Sequence, residues 1–331
     1  MYTKQFIAAA LFTALLLPTP TFAQVVQGYF YSNDAGKESF DDNYQHIDEL
    51  APQIYVIDQD FDLRKTDDDG IVRKAEREDI KIVPLVYQKD FSRSLMSEIL
   101  DDEDVQEDII DALIEEAEDE DYAGWQFDFE YIASADRNKY SDFVELAGKK
   151  FRRADLEFSV AVIPRTTPYN PNAPTDLTFA YDYEELGKHA DYLVLMAYND
   201  PRSFGPTGSL MYQREVLEFI TTLVPARKLQ LGIPLFCSKW LATGGYKQFG
   251  ELKHEDVEED IEISQLLLRG YMEGVESEYS AYVVPSGNLY LSWCDGKRGF
   301  DAKMKLAEEF NLRGVSLWAL GQENKEIWDR I

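Results

Sequence analysis

Short apolar runs alternate along this chain with amphipathic stretches. The apolar runs are VVQGYFY (25–31), IYVID (54–58), KIVPLVY (81–87), GWQFDFEYI (124–132), EFSVAVIP (157–164), DYLVLMAY (191–198), LQLGIPLF (229–236) and GVSLWAL (314–320). Most are rich in Val, Ile, Tyr and Phe and lack polar alternation, the pattern of strands buried on both faces of a parallel sheet. Between them, residues 103–120 place Val105, Ile109, Ile110, Leu113, Ile114 and Ala117 at helical spacing, and the acids crowding that segment form its solvated face. Residues 137–153 carry Tyr140, Phe143, Val144, Ala147 and Phe151 on one stripe, and 181–190, 211–223, 299–310 and 323–331 are further helix candidates. Eight such units in series predict an α/β fold, a (β/α)8 barrel. A doubly wound open sheet is the alternative. The span from Ser238 to Ser292 exceeds a simple helical connection and has a polar stretch near 251–262, so an insertion of about 238–292 is expected before the last helix and strand.

The first 23 residues stand apart. Lys4 precedes an apolar run from Phe6 to Leu17, Pro18-Thr19-Pro20 breaks it, and Thr21-Phe22-Ala23 ends on a small residue. This is the layout of a secretory signal peptide, and the run is short for a membrane span, which needs about 20 residues. An uncleaved anchor is the alternative. The expected division is therefore a leader at 1–23 and a barrel at 24–331, in a secreted or periplasmic protein that does not insert into a membrane once the leader is gone.

The formal net charge of −29 repels phosphate backbones and anionic membranes, so nucleic acid is excluded as a natural partner. A neutral or cationic substrate and a monomeric state are expected. Cys237 and Cys294 are the only cysteines. In an oxidising compartment they can pair, but sequence supplies no geometry to decide it. Three histidines, and the lack of any CxxC, HExxH or Gly-rich phosphate loop, leave no metal or cofactor motif. Asp67-Asp68-Asp69-Gly70 is read as an exposed turn, with calcium ligation as the lesser alternative.

The chemistry concentrates in GWQFDFEYI. Side chains alternate across a strand, so Gln126, Asp128 and Glu130 share one face and Trp125, Phe127 and Phe129 the other. In a barrel the aromatics pack under the helices and the polar trio enters the lumen, with Glu130 nearest the C-terminal mouth. Two carboxyl groups so close in a low-dielectric site cannot both ionise cheaply; one keeps a proton, as a general acid requires. A pair neutralised by a buried Lys or Arg is the structural alternative, although this segment carries neither on its polar face.

Ala123–Glu130 resembles the D-G-x-D-x-D-x-E strand of glycoside hydrolase family 18. Gly28-Tyr29-Phe30-Tyr31 is similar to that family's first strand, Leu195–Asn199 to its M-x-Y-D strand, Gly232–Phe236 to its seventh and Gly314–Gly321 to its eighth. The resemblance implies retaining hydrolysis of N-acetylglucosamine glycans by a substrate-assisted route that needs no cofactor. Glu130 would be the general acid and base, Asp128 would hold the 2-acetamido N–H, and Tyr198 its oxygen. Trp318 would floor the sugar, Tyr29 and Tyr31 could line the pocket, and Met196, Asn199 and Gln126 would lie beside it. On residues alone, Tyr29, Tyr31 and Trp318 read equally well as core.

Departures from the pattern are Gln126 and Ala123 for aspartates, Asn199 for aspartate, Pro84–Tyr87 for a small-residue segment, and Cys237-Ser238 for Gly-Arg. Gln126 is expected to hydrogen-bond Asp128 and, by removing one acid, to lower the cost of ionising it. An amide at that position, and the stretch WALGQ (318–322), resemble spore-cortex and peptidoglycan-acting members. A catalytically weak or silent glycan-binding barrel is the competing reading, and an acidic docking protein a third.

Overall fold

The computed structural model describes residues 24–68, 70–170, 177–200, 205–242 and 247–331; the expected leader and Asp69 lie outside them. Ten strands come first: β1 (Val25–Phe30), β2 (Glu49–Pro52), β3 (Tyr55–Ile57), β4 (Leu63–Lys65), β5 (Lys81–Ile82), β6 (Leu85–Gln88), β7 (Gly124–Phe127), β8 (Glu157–Val162), β9 (Tyr192–Leu195) and β10 (Leu229–Pro234). Then follow β11 (Cys237–Leu241), β12 (Lys247–Leu252), β13 (Gln265–Met272), β14 (Ser277–Val283), β15 (Leu289–Cys294) and β16 (Gly314–Trp318). The helices are α1 (Asp34–Asn43), α2 (Ile71–Arg77), α3 (Arg93–Asp101), α4 (Glu103–Asp119), α5 (Arg137–Arg153), α6 (Tyr183–His189), α7 (Leu210–Ile220), α8 (His254–Glu262) and α9 (Lys297–Glu309).

β2 and β3 are halves of one interrupted strand, as are β5 and β6. The second break contains Pro84, which has no N–H for the ladder. β2 pairs with β1 and β5, and β3 pairs with β6, all parallel. Parallel pairing then continues through β7, β8, β9, β10 and β16 back to β1. Counting each broken strand once, the ring has eight members and closes: the chain is a (β/α)8 barrel. β4 adds an antiparallel hairpin to β3.

The observed elements exceed the expected ones in a specific way. β2, α1, α2, α3 and α8 gave no sequence signal because they are short or polar. α1 holds a single large apolar side chain, the fully buried Phe40. Residues 325–330 form a 3-10 turn. By contrast α4 and α5 bury the predicted stripes. The Trp125 indole donates to the Leu113 carbonyl of α4 at 2.8 Å, and Phe127 stacks with Phe143 of α5 and meets Phe158 edge-on. Burying each such ring contributes about 2–3 kcal/mol.

The barrel lumen is polar in layers. At its N-terminal end Glu49, Lys81, Glu157 and Arg313 form one ion cluster. Above it the Ser316 hydroxyl bonds both Gln27 and Gln230, and Gln27 donates to the Tyr192 hydroxyl. Buried amides are tolerated there because lumen partners satisfy them. Between β10 and α9, β11 to β15 form a separate antiparallel sheet in the order β12-β11-β15-β14-β13, with α8 beside it. Cys237 and Cys294 are disulfide-bonded across its base, 57 residues apart in sequence. Closing such a loop removes chain entropy from the unfolded state worth about 4 kcal/mol in the simplest treatment.

Candidate active site

β7 stops at Phe127, earlier than the expected strand, although the Asp128 N–H still donates to the Val86 carbonyl at 2.9 Å. The alternation of faces persists past that point. Trp125, Phe127 and Phe129 are fully buried outside the sheet, while Asp128 and Glu130 line a cavity of about 340 Å³ at the C-terminal mouth of the barrel. Around the pair stand Tyr29 from β1, Leu85 from β6, Ala161 and Ile163 at the end of β8, Met196, Tyr198 and Asn199 after β9, and Trp318 at the end of β16. This is the face where barrels of this kind place their chemistry, and the volume suits a sugar-sized ligand.

Asp128 is 4% exposed, and its Oδ1 has no hydrogen-bond partner among the described residues. Burial, and then the charge of Glu130, push its carboxyl well above the usual carboxylate range; no cation opposes them. Gln126 does not relieve it. The expected Gln126–Asp128 bond is replaced by two others: the Tyr29 hydroxyl donates to Gln126 Oε1, and Gln126 Nε2 donates to Ser159 Oγ at 2.9 Å. One acceptor oxygen and one NH2 group are thus consumed by β1 and β8. Gln126 is fully buried beneath the cavity rather than lining it, so its assignment beside the sugar is corrected to a support under Tyr29. Desolvation is the larger cause of the raised Asp128 pKa, and Glu130 supplies the remaining like charge.

Glu130 is half-buried at the mouth. Its backbone is held from both sides by Gln88, whose Nε2 donates to the Glu130 carbonyl at 2.6 Å and whose Oε1 accepts from the Glu130 N–H at 3.4 Å. Gln88 is fully buried. Sequence reasoning missed it; the available signal was a lone amide closing an otherwise apolar run.

Trp318 is braced by Tyr29, ring centroids 5.2 Å apart and edge-on, and by Tyr31 at 6.4 Å. Tyr31 sits behind this wall rather than in the cavity lining, its hydroxyl accepting from Gln322 Nε2 at 2.8 Å. Gln322 Oε1 accepts from the Ala319 N–H at 3.2 Å, so the amide ties the residue after Trp318 to Tyr31. Tyr198 lies edge-on to Phe236 at 6.0 Å and passes over Gly232. A Cβ at Gly232 would fall 2.4 Å from the Leu195 carbonyl oxygen and 3.2 Å from the Tyr198 ring, so glycine lets both lie close to this backbone. Asn199 takes φ 55 and donates its N–H to the Thr207 carbonyl. Among the described residues no cluster of His, Cys, Asp or Glu is arranged for a metal, and no helix is long and apolar enough to cross a membrane.

Residues 12–323 match the family model for glycosyl hydrolases family 18. The chain belongs to that family. The family is one of glycosyl hydrolases. The cortical fragment-lytic enzyme of Bacillus subtilis (strain 168) is 27% identical over 255 residues, covering 75% of this chain and 58% of that protein. The chain therefore spans little more than half of that relative. The uncharacterized glycosylase YvbX of the same organism is 23% identical over 321 residues, covering 93% and 91%. Among solved structures, the Bacillus megaterium QM B1551 spore cortex-lytic enzyme SleL superposes with a TM-score of 0.83 at 21% identity, covering 93% of this chain and 73% of its own. The chitinase from Chromobacterium violaceum ATCC 12472 also gives 0.83, at 24% identity, covering 93% and 97%. At these identities the two structures establish the shared fold.

Proposed function

We propose that this family 18 protein hydrolyses β-1,4-linked N-acetylglucosamine glycans, chitin oligosaccharides or peptidoglycan-type strands, with retention of configuration. Glu130 protonates the glycosidic oxygen as the bond to the anomeric carbon breaks. The substrate's 2-acetamido oxygen attacks that carbon, giving an oxazolinium ion in place of an enzyme ester, the substrate-assisted route. Glu130, now ionised, takes a proton from water, and the resulting hydroxide opens the ring and regenerates the acetamide. Asp128 accepts the acetamido N–H and stabilises the cation, Tyr198 donates to the acetamido oxygen, and Trp318 carries the sugar face.

The observation that supports this most directly is the buried, unpartnered oxygen of Asp128 directly beneath Glu130. A buried acceptor without a protein partner is suited to an amide N–H, and receiving one favours the ionised form of the acid. Because two coupled carboxyls share their protons, substrate binding at Asp128 then leaves Glu130 as the group that holds the proton to be transferred. Residues 1–23 act in this reading as an export leader, and 238–292 as an insertion in the barrel. The Cys237–Cys294 bond accords with a secreted or periplasmic site of action. The names of the cortex-lytic relatives favour a bacterial cell-wall glycan over chitin.

The deciding experiment is release of the aryl group from an aryl chitobioside by the wild type and by Glu130→Gln. Turnover by the wild type that disappears in the amide variant supports the hydrolase. Glycan binding without turnover in either would instead identify a silent glycan-binding barrel.

A further inference from the structure

The cleft extends past the catalytic pair into ground that the bond-breaking chemistry does not use. The rings of Tyr87 and Phe91 stack with centroids 5.1 Å apart, and Phe91 meets Tyr131 at 6.4 Å. Tyr131, nearly half exposed, lines the catalytic cavity next to Glu130. Three aromatic faces thus lead from that cavity into a second concavity of about 550 Å³, bounded by Tyr87, Phe91, Lys89, Asp90 and the Asp58–Arg64 ion pair. The Tyr87 hydroxyl lies close enough to Asp128 for that charge to add to burial in raising its pKa, so the two concavities are neighbours.

The backbone carrying these rings is held in unfavourable conformations. Asp90, Phe91 and Tyr131 have φ of 56, 47 and 54, a left-handed region that residues with a Cβ rarely adopt. Arg93 fixes one of them by donating its Nε–H to the Tyr131 carbonyl at 3.0 Å.

The charges here differ from those of the rest of the molecule. In a chain with 62 acids and 33 bases, a lysine ordinarily finds a carboxylate. Lys89 instead donates to the neutral amide of Gln59 at 3.3 Å and forms no ion pair among the described residues. Arg64 is taken up by Asp58 and Asp62. The charges lining the concavity, Asp58, Asp90, Arg64 and Lys89, balance, but the Lys89 ammonium is left without a carboxylate partner among the described residues. A neutral glycan needs the rings but not the ammonium group.

We propose that this second concavity is a subsite for a sugar unit bearing a carboxylate, the pyranose lying on the Tyr87–Phe91 faces and the carboxylate meeting Lys89. The inference rests on the glycan-hydrolase reading of the adjoining cavity and deepens it, since it selects carboxylate-bearing peptidoglycan-type strands over chitin. The carboxylate has two sources, the lactyl ether of the sugar itself or the peptide stem attached to it.

The test measures binding by calorimetry in a Glu130→Gln background, where no ligand is consumed. Three ligands of equal length are compared: chitotetraose, a peptidoglycan tetrasaccharide stripped of its peptides, and the same tetrasaccharide with stems intact. At least one carboxylate-bearing ligand is expected to bind about tenfold more tightly than chitotetraose, the scale of one charge-assisted hydrogen bond. Adding Lys89→Glu should erase that advantage and leave chitotetraose unchanged. Which ligand gains identifies the source. Equal affinity for all three, or an equal loss for all three on Lys89→Glu, overturns the subsite. Absence of wild-type turnover would overturn the hydrolase reading alone, because the subsite is judged on affinity.

Discussion

The two mouths of the barrel hold the same kinds of residue under opposite rules. At the N-terminal mouth Glu49 and Glu157 meet Arg313 and Lys81; Arg313 reaches Glu49 at 2.6 Å and Glu157 at 2.9 Å, and its guanidinium lies 3.8 Å over the Tyr192 ring. Burial opposes the charge of Glu49, but Arg313 and Lys81 outweigh it and hold its pKa below the usual carboxylate range. At the C-terminal mouth Asp128 is as deeply buried, has no such compensation, and its pKa rises. The barrel can neutralise a buried acid and does so where only stability is at stake. Leaving Asp128 uncompensated costs stability, which is reasonable only where the uncompensated group has work to do.

The largest expected effect tests the functional side of that contrast. Glu130→Gln keeps size and burial and removes the proposed proton donor, so turnover of an aryl chitobioside should fall about a thousandfold, within the range of general acid catalysis. Thermal unfolding should scarcely move. A large stability change with little change in rate would make the C-terminal mouth a structural cluster like the other.

Next comes the structural side. Arg313→Met removes the cation shared by two acids and leaves Glu49 buried beside Lys81 alone. The loss should be about 3–5 kcal/mol at neutral pH, measured as a lower urea midpoint. Because the folded pKa of Glu49 is depressed, its contribution is present above its unfolded pKa and is lost as pH falls through the folded value. The wild type and variant should therefore converge in acid.

Asp128→Asn should act in the opposite sense. A raised folded pKa means that the native state binds more protons than the unfolded chain, so Asp128 costs increasing stability as pH climbs from its unfolded value toward its folded one. The amide carries no such cost. The variant should be about 2 kcal/mol more stable than wild type at pH 7 and equal to it near pH 3, while losing activity. Urea titrations at both pH values read the sign directly; a variant less stable at pH 7 would mean that Asp128 is compensated after all.

How much of this contrast was legible in the chain follows from distance along it. All eight apolar runs fall on barrel strands, and α4 and α5 show their stripes, because those signals are local and periodic. Asp128 and Glu130 stood out because charge is rare inside such a run. What could not be read is who satisfies whom. Gln126 is claimed by Tyr29, 97 positions away, and by Ser159, 33 away, so its expected bond to Asp128 gave way to partners that only barrel closure supplies. β2 was hard to read for the same reason: its buried Glu49 is neutralised by Arg313, 264 positions on, and by Lys81, 32 positions on.

Gln88 gives the finest test of the same difference. The N-terminal cluster is positioned by charge, whereas Glu130 is positioned by two neutral hydrogen bonds from one amide to its backbone. Gln88→Met preserves volume and deletes both. Stability should fall by about 1–2 kcal/mol, the cost of leaving a buried carbonyl and N–H without partners. If those bonds serve to aim Glu130, kcat should fall about tenfold, since small misplacements of a catalytic group are costly, while KM should stay nearly constant because Trp318 and Tyr198 are untouched. A merely structural Gln88 would lower stability with kcat unchanged, and the aim of the acid would then reside in the turn at Tyr131 rather than in β6.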